Sequence, residues 1–143
     1  MKLILEKWND YLTEDQRLSC PRATQDLALN TENRDATIKK YNYGPLNVDE
    51  PADYWKRIAV YWKTTEEAAR KSLCGNCVAF DISPRMKDCM PGDTFDEDGE
   101  LGYCWMHHFK CHSARSCHTW AKGGPIAKDS ESEEWKEKNE TNT

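Results

Sequence analysis

The sequence predicts a small protein, α-rich and partly irregular, whose N-terminal and middle helices pack on a loop-rich C-terminal lobe that a metal holds together. Three observations predict this fold class. Helical apolar periodicity is confined to two stretches of the chain. Of the 143 residues, 38% are hydrophobic and 31% charged, which leaves little apolar area for a core. Six of the seven cysteines lie between residues 74 and 117, and a domain short of core often needs a metal or a covalent cross-link.

The N-terminal segment, residues 1–20, is predicted to form an amphipathic helix. Leu5, Trp8 and Leu12 recur at three- and four-residue spacing, and charged residues take the other side. Such a helix either packs on the core or docks on a partner protein. Cys20 precedes a proline, which disfavours helical geometry and ends the segment.

The middle of the chain is predicted to carry two further helices. Residues 21–48 are polar and weakly patterned, and we expect a linker along the surface. In the unit 49–126, Trp55, Ile58 and Trp62 define one helix face. Thr64 followed by Glu67 forms a capping box for a short helix over residues 65–72, which ends just before Cys74.

The remaining segments are predicted from composition. Most of residues 74–126 combines cysteine, histidine, aromatic residues and glycine, and we expect little regular helix or sheet there. Residues 127–143 are acidic and polar, which is typical of a flexible tail.

Charge and hydropathy exclude several functions as the main role. The net charge is -5, which argues against nucleic-acid binding. No apolar run reaches the roughly 20 residues that a membrane span needs, and we find no signal-peptide core. We therefore expect a reducing, cytoplasmic location, where cysteines are metal ligands more often than disulfides.

The cysteine spacing admits three interpretations. Cys74 and Cys77 form a C-x2-C pair, whose backbone turn can direct both sulfurs and nearby N–H groups to one centre. Four thiolates can bind a [4Fe–4S] cluster. Alternatively, cysteines and histidines can build tetrahedral zinc sites, or the cysteines can form a disulfide framework. The histidines concerned are His107, His108, His112 and His118. Thiolates suit both metals, so ligand type does not decide between them.

Aromatic residues and histidines surround the later cysteines. Phe80, Tyr103, Trp105 and Trp120 are expected to shield a cluster from water or to form the small core of the lobe. His107 and His108 are expected to flank the ligands more often than to bind the metal.

The motifs "CGNCVAF", "DCMPGD" and "DGELGYCW" over residues 74–105 resemble those of the high-potential iron–sulfur proteins. The resemblance covers about a third of the chain. It implies that Cys74, Cys77, Cys89 and Cys104 are cluster ligands, with Phe80, Tyr103 and Trp105 as shielding aromatics. The "CHTW" motif at 117–120 is similar to a C-x-x-W element of the same family, so Cys117, or Cys111, is an alternative fourth ligand.

A second resemblance links the chain to small proteins of marine tailed bacteriophages. It lies in the pattern "CGNC…GYCWMHHFKCHSARSC" and in the opening "MKLILEKWNDYL". It implies a phage-encoded protein located in the host cytoplasm or the virion, whose N-terminal helix docks on a phage structural protein.

These observations predict a non-enzymatic iron–sulfur protein for electron transfer or redox sensing. Four thiolates fill the four iron corners of a cluster, which leaves no iron open for substrate chemistry. Its partner would be a redox protein. The alternatives are a structural or interaction protein in which the metal only stabilises the fold, and a zinc-binding adaptor.

Overall fold

A short antiparallel sheet lies at the centre of the computed structural model, which describes residues 20–47, 52–90 and 92–139. The predicted N-terminal helix over residues 1–20 lies outside these ranges except for its last residue. The sheet has four strands in the order β1–β3–β2, with β4 also paired to β3. The strands are β1 (Phe80–Asp81), β2 (Phe95–Asp96), β3 (Gly99–Cys104) and β4 (Phe109–His112).

The β3–β4 hairpin corrects our expectation of little sheet in the cysteine-rich lobe. Its register pairs Leu101 with His112 and Cys104 with Phe109. Tyr103 and Phe109 are buried, while Leu101 and Lys110 are more exposed. The alternation of buried and exposed residues that is typical of a strand is not visible in this part of the sequence. Cysteine and aromatic side chains occupy both faces of the hairpin and are buried on both.

The predicted linker contains a long helix, so this prediction was wrong for its central part. Helix α1 spans Arg22–Gln25 and α2 spans Leu27–Tyr41. The side chain of Asp26 caps α2 by accepting from the backbone N–H of Leu29. Two asparagines attach α2 to the hairpin: Asn30 Oδ1 accepts from the Lys110 N–H at 2.7 Å, and Asn33 Nδ2 donates to the His108 carbonyl at 2.7 Å. Polar contacts of this kind leave no apolar stripe in the sequence.

The two middle helices agree closely with the prediction. Helix α3 spans Tyr54–Trp62 and α4 spans Glu66–Arg70. Tyr54, Trp55, Ile58, Ala59 and Ala69 form a small core of their own. The cap of α4 is Thr65, whose hydroxyl accepts from the Ala68 N–H, so the helix begins one residue later than the predicted capping box.

A helix also lies within the segment predicted to be a flexible tail. Helix α5 spans Pro84–Cys89 and α6 spans Asp129–Asn139. Ser132 of α6 is fully buried and donates to the carboxylate of Asp81, which also accepts from Trp105 Nε1 at 2.9 Å and from the Ser83 N–H at 2.9 Å. This buried carboxylate connects α6 to the sheet.

The main core surrounds the sheet and contains most of the cysteines. Its largest fully buried side chains include Tyr103, Phe80, Phe109 and Met86, and Trp135 of α6 packs against it. None of the helices within the described ranges is long and apolar enough to cross a membrane.

Candidate metal centre

Five of the seven cysteines line one cavity, and we call this group the thiol pocket. Each of them is a free thiol. The lining is completed by Phe80, Met106, Thr119 and Trp120. The pocket thiols are Cys74, Cys77, Cys104, Cys111 and Cys117. They come from three places in the chain: a tight turn, the hairpin and the loop that follows it.

The turn that carries the first two thiols is short and firmly anchored. Cys74–Asn76 forms a single 3₁₀ turn, which the Cys77 N–H closes by donating to the Cys74 carbonyl at 2.9 Å. The Cys74 N–H donates to the Arg115 carbonyl, and the Gly75 N–H donates to the Ser113 carbonyl. The C-x2-C spacing therefore places both sulfurs at the same cavity, as its geometry predicts.

The hairpin supplies the next two thiols. Cys104 ends β3, and Cys111 lies opposite Gly102 on β4. Residues two apart on a strand share a face, so Cys104 and Cys111 are diagonal neighbours on one side of the hairpin. Their side chains form a hydrogen bond.

Cys117 enters the pocket from the loop after β4. Its sulfur lies 3.2 Å from the Thr119 hydroxyl, which in turn lies 2.7 Å from His107 Nε2. The Thr119 hydroxyl thus connects this sulfur to an imidazole that does not itself line the pocket.

Backbone N–H groups are directed at three of the five sulfurs. The His107 N–H donates to Cys104 Sγ at 3.4 Å. The N–H groups of Met106 near Cys104, of Ala79 and Ala121 near Cys77, and of Thr119 near Cys117 each act to lower the pKa of the thiol. In all three cases, one of these N–H groups belongs to the residue two positions after the cysteine. N–H groups stabilise a thiolate much more than a thiol, because hydrogen bonds to a charged acceptor are stronger.

The pKa of Cys104 shifts in the opposite direction to the pKa values of Cys77, Cys111 and Cys117. The hydrogen bond from Cys111, together with the N–H groups of His107 and Met106, lowers the pKa of Cys104 below its usual range. Burial raises the pKa of Cys77, and it raises the pKa of Cys117 to about 12. Burial also raises the pKa of Cys111 strongly, and Cys111 is the thiol that donates to Cys104. Of these four thiols, only Cys104 has a pKa shifted toward the thiolate form.

The cavity is small and apolar, with a volume of about 20 Å³. A single water needs roughly 10–15 Å³, so the cavity has room for about one water-sized group. Within the described ranges, no three His, Cys, Asp or Glu side chains converge as the ligands of one metal ion. The five sulfurs line one cavity, but they do not converge on one point as the ligands of a single metal ion do. No Lys, Arg or His is among the lining residues.

The predicted ligand Cys89 lies elsewhere, and this corrects the ligand set. Cys89 is the last residue of α5 and forms a disulfide with Cys20. The adjacent Gln25 of α1 donates to the Cys89 carbonyl at 2.7 Å. A sulfur bonded to another sulfur is not available as a thiolate, so Cys89 has no ligand role in this structure. The alternatives Cys117 and Cys111 do lie in the pocket.

Two of the four predicted shielding aromatics line the pocket, namely Phe80 and Trp120. Tyr103 and Trp105 are buried in the adjoining core, where their rings meet edge to face with centroids 5.0 Å apart. Sequence reasoning missed Met106 and Thr119. Their positions two residues after Cys104 and Cys117 are the signal that identifies them.

The histidines occupy positions around the pocket and the hairpin. His107 stacks on Tyr41, and His108 adopts a left-handed backbone conformation in the β3–β4 turn with its Nδ1 3.4 Å from the Tyr103 hydroxyl. His112 Nε2 lies 3.0 Å from the Asp96 carboxylate. Burial lowers the pKa of both His107 and His108.

Gly124 packs directly against the backbone of the turn that carries Cys74 and Cys77. A Cβ atom at this position would lie 1.7 Å from the Cys77 carbonyl oxygen, so no side chain fits. Its N–H donates to the Asn76 carbonyl at 3.2 Å. The glycine pair at 123–124 in the sequence thus permits the close approach of two backbones beside the pocket.

Fold and pocket together define a small protein of helices and antiparallel sheet that gathers five thiols around one apolar cavity. Comparison of the chain with family models, with curated proteins and with solved structures finds no match.

Proposed function

We propose that the thiol pocket holds an iron–sulfur cluster that serves electron transfer or redox sensing. In the corrected ligand set, the four thiolates come from Cys74, Cys77, Cys104 and Cys117. Cys111 remains a thiol beneath them and donates its hydrogen bond to Cys104. The cluster would supply the redox chemistry, and the chain's own residues would hold it, shield it from water and stabilise the negative charge of its ligands.

The observation that supports this proposal most directly is the set of N–H groups directed at the sulfurs. N–H groups near Cys77, Cys104 and Cys117 each act to lower the pKa of that thiol, although burial still raises the pKa of Cys77 and Cys117, so a thiolate at these two positions needs a further source of positive charge. Three uncompensated negative charges in such a place would be very costly. No cationic side chain lines the cavity, so a metal centre is the simplest source of positive charge.

Three features favour a cluster over a single zinc ion. The pocket has five sulfurs, one more than a tetrahedral ion binds. The five sulfurs are spread around one cavity, whereas the ligands of a single ion converge on one point. In addition, Cys104, Met106 and Trp120 are only half-buried, so a centre held here lies near the surface, where electron exchange with another protein is favoured.

Anaerobic purification followed by visible spectroscopy and reductive titration tests the proposal. We expect a brown protein with broad absorption at about 400 nm that bleaches on reduction and recovers on oxidation. Cys104→Ser and Cys117→Ser should lose this absorption, and Cys89→Ser should keep it. A colourless protein with one zinc per chain would contradict the cluster and favour the zinc-binding adaptor. A cluster that cannot be cycled would favour a metal that only stabilises the fold, in a structural or virion protein.

A further inference from the structure

A chain of aromatic rings, interrupted once by a hydrogen bond to the backbone, leads from the thiol pocket to the exposed side of α3. Trp120 lines the pocket, and the centroid of its ring lies 5.9 Å from that of Trp62. Trp62 Nε1 donates to the carbonyl of His118 at 2.9 Å. The His118 ring stacks on Tyr61 at 3.7 Å, with only 8° between the ring planes. His118 itself directly follows the pocket residue Cys117.

The surface at the end of this chain is apolar in its centre. Val60 is 73% exposed and Tyr61 is 59% exposed. They are two of the five exposed large hydrophobic residues within the described ranges, and the only two of those that are adjacent. The two side chains lie about 100° apart around α3 and give its exposed side neighbouring apolar area, which is typical of an interaction site.

Positive charge flanks this apolar centre. Lys56 lies one helical turn before Val60, and Lys63 follows at the end of α3; both are exposed. Within the described ranges neither lysine forms a salt bridge, whereas the neighbouring Arg57 pairs with Asp53 at 3.1 Å. The protein as a whole has a net charge of -5, so this face differs in sign from the average surface.

We infer that the exposed face of α3, formed by Lys56, Val60, Tyr61 and Lys63, docks an electron-transfer partner with an acidic contact surface. The inference rests on the proposed function, because it gives the partner of the same redox centre. Charge complementarity selects an acidic partner and raises its rate of encounter. The stacked rings of Tyr61 and His118, the hydrogen bond from Trp62 to the His118 carbonyl, and the Trp62–Trp120 ring pair then connect the contact surface to the pocket.

Small redox reagents of opposite charge test this docking face with the metal-loaded protein. Hexacyanoferrate(III) is an anionic oxidant that takes one electron from the reduced centre and becomes hexacyanoferrate(II). Tris(phenanthroline)cobalt(III) is a cationic oxidant that takes one electron in the same way. In stopped-flow measurements, Lys56→Glu/Lys63→Glu should slow the anionic reagent about tenfold or more at low salt and accelerate the cationic one. Added salt should reduce both effects.

A matched control changes the net charge equally at another place. Lys128→Glu/Lys138→Glu alters two exposed lysines at α6, and its rates should stay close to those of the wild type. Tyr61→Leu should slow both reagents while metal content stays unchanged. Equal rates in the α3 and control variants would overturn the docking inference and leave the cluster intact. A protein without a coloured centre would overturn the proposed function itself.

Sedimentation of the loaded protein distinguishes the other occupant of this face. We expect a monomer. A dimer that Val60→Asp abolishes would assign the face to a second copy of the chain and would overturn the inference.

Discussion

The two sulfur sites of this chain differ in what surrounds their sulfur atoms. The Cys20–Cys89 disulfide joins the segment just before α1 to the last residue of α5, 69 residues apart in sequence. The thiol pocket instead keeps five thiols unpaired around a cavity, with N–H groups directed at three of them. The comparison teaches that the donors around a sulfur indicate its role better than the spacing of cysteines does.

The largest expected effect comes from removing single pocket thiols. Cys77→Ser, Cys104→Ser and Cys117→Ser should each lose bound metal. A structural metal contributes of the order of 10 kcal/mol to folding, so the lobe should also lose its cooperative unfolding transition. Metal analysis and circular dichroism of each variant measure this. The Cys20→Ser/Cys89→Ser variant is the control and should retain its metal; equal losses in both sets would erase the distinction between the two sites.

A side chain at Gly124 should damage the pocket without changing any sulfur. Because its Cβ would lie 1.7 Å from the Cys77 carbonyl oxygen, Gly124→Ala must displace the first turn. We expect a loss of roughly 4–5 kcal/mol in the free energy of unfolding and a lower metal content. Ser130→Ala, at an exposed position of α6, is the control. Unchanged metal binding in Gly124→Ala would show that the turn does not position the thiols.

Replacement of the buried carboxylate tests whether α6 belongs with the pocket side of the molecule. Asp81 lies next to Phe80, which pairs with Cys104 in the sheet. Asp81→Ala removes three hydrogen bonds to a charged acceptor and should cost roughly 4 kcal/mol. Chemical denaturation measures this, and hydrogen exchange should show α6 losing protection first. Asp98→Ala, at an exposed position, should change stability by less than about 0.5 kcal/mol.

Removal of the disulfide has the smallest expected effect of the four. Cys20→Ser/Cys89→Ser should lower the free energy of unfolding by about 2–4 kcal/mol, chiefly by releasing a long loop in the unfolded chain. The visible spectrum should not change. Loss of the spectrum in this variant would return Cys89 to the ligand set.

The sequence predicted α3, the helix of the described ranges that carries an apolar stripe, and the concentration of thiols. Trp55 and Ile58 mark α3, and Cys74 and Cys77 mark the first turn, because local spacing fixes both. It did not predict α2, since Asn30 and Asn33 hold that helix by polar contacts with residues far along the chain. Nor did it separate Cys89 from the pocket, because only the fold brings Cys20 beside it. Spacing locates cysteines along a chain, whereas tertiary contacts decide which of them meet.

Quantification of iron, acid-labile sulfide and zinc in the anaerobically purified protein tests the central claim most directly. The account predicts iron and sulfide in equal amounts, at about four of each per chain for a [4Fe–4S] cluster, with negligible zinc. A purified, folded chain whose five pocket thiols all react with an alkylating reagent, and which contains none of these elements, would contradict it.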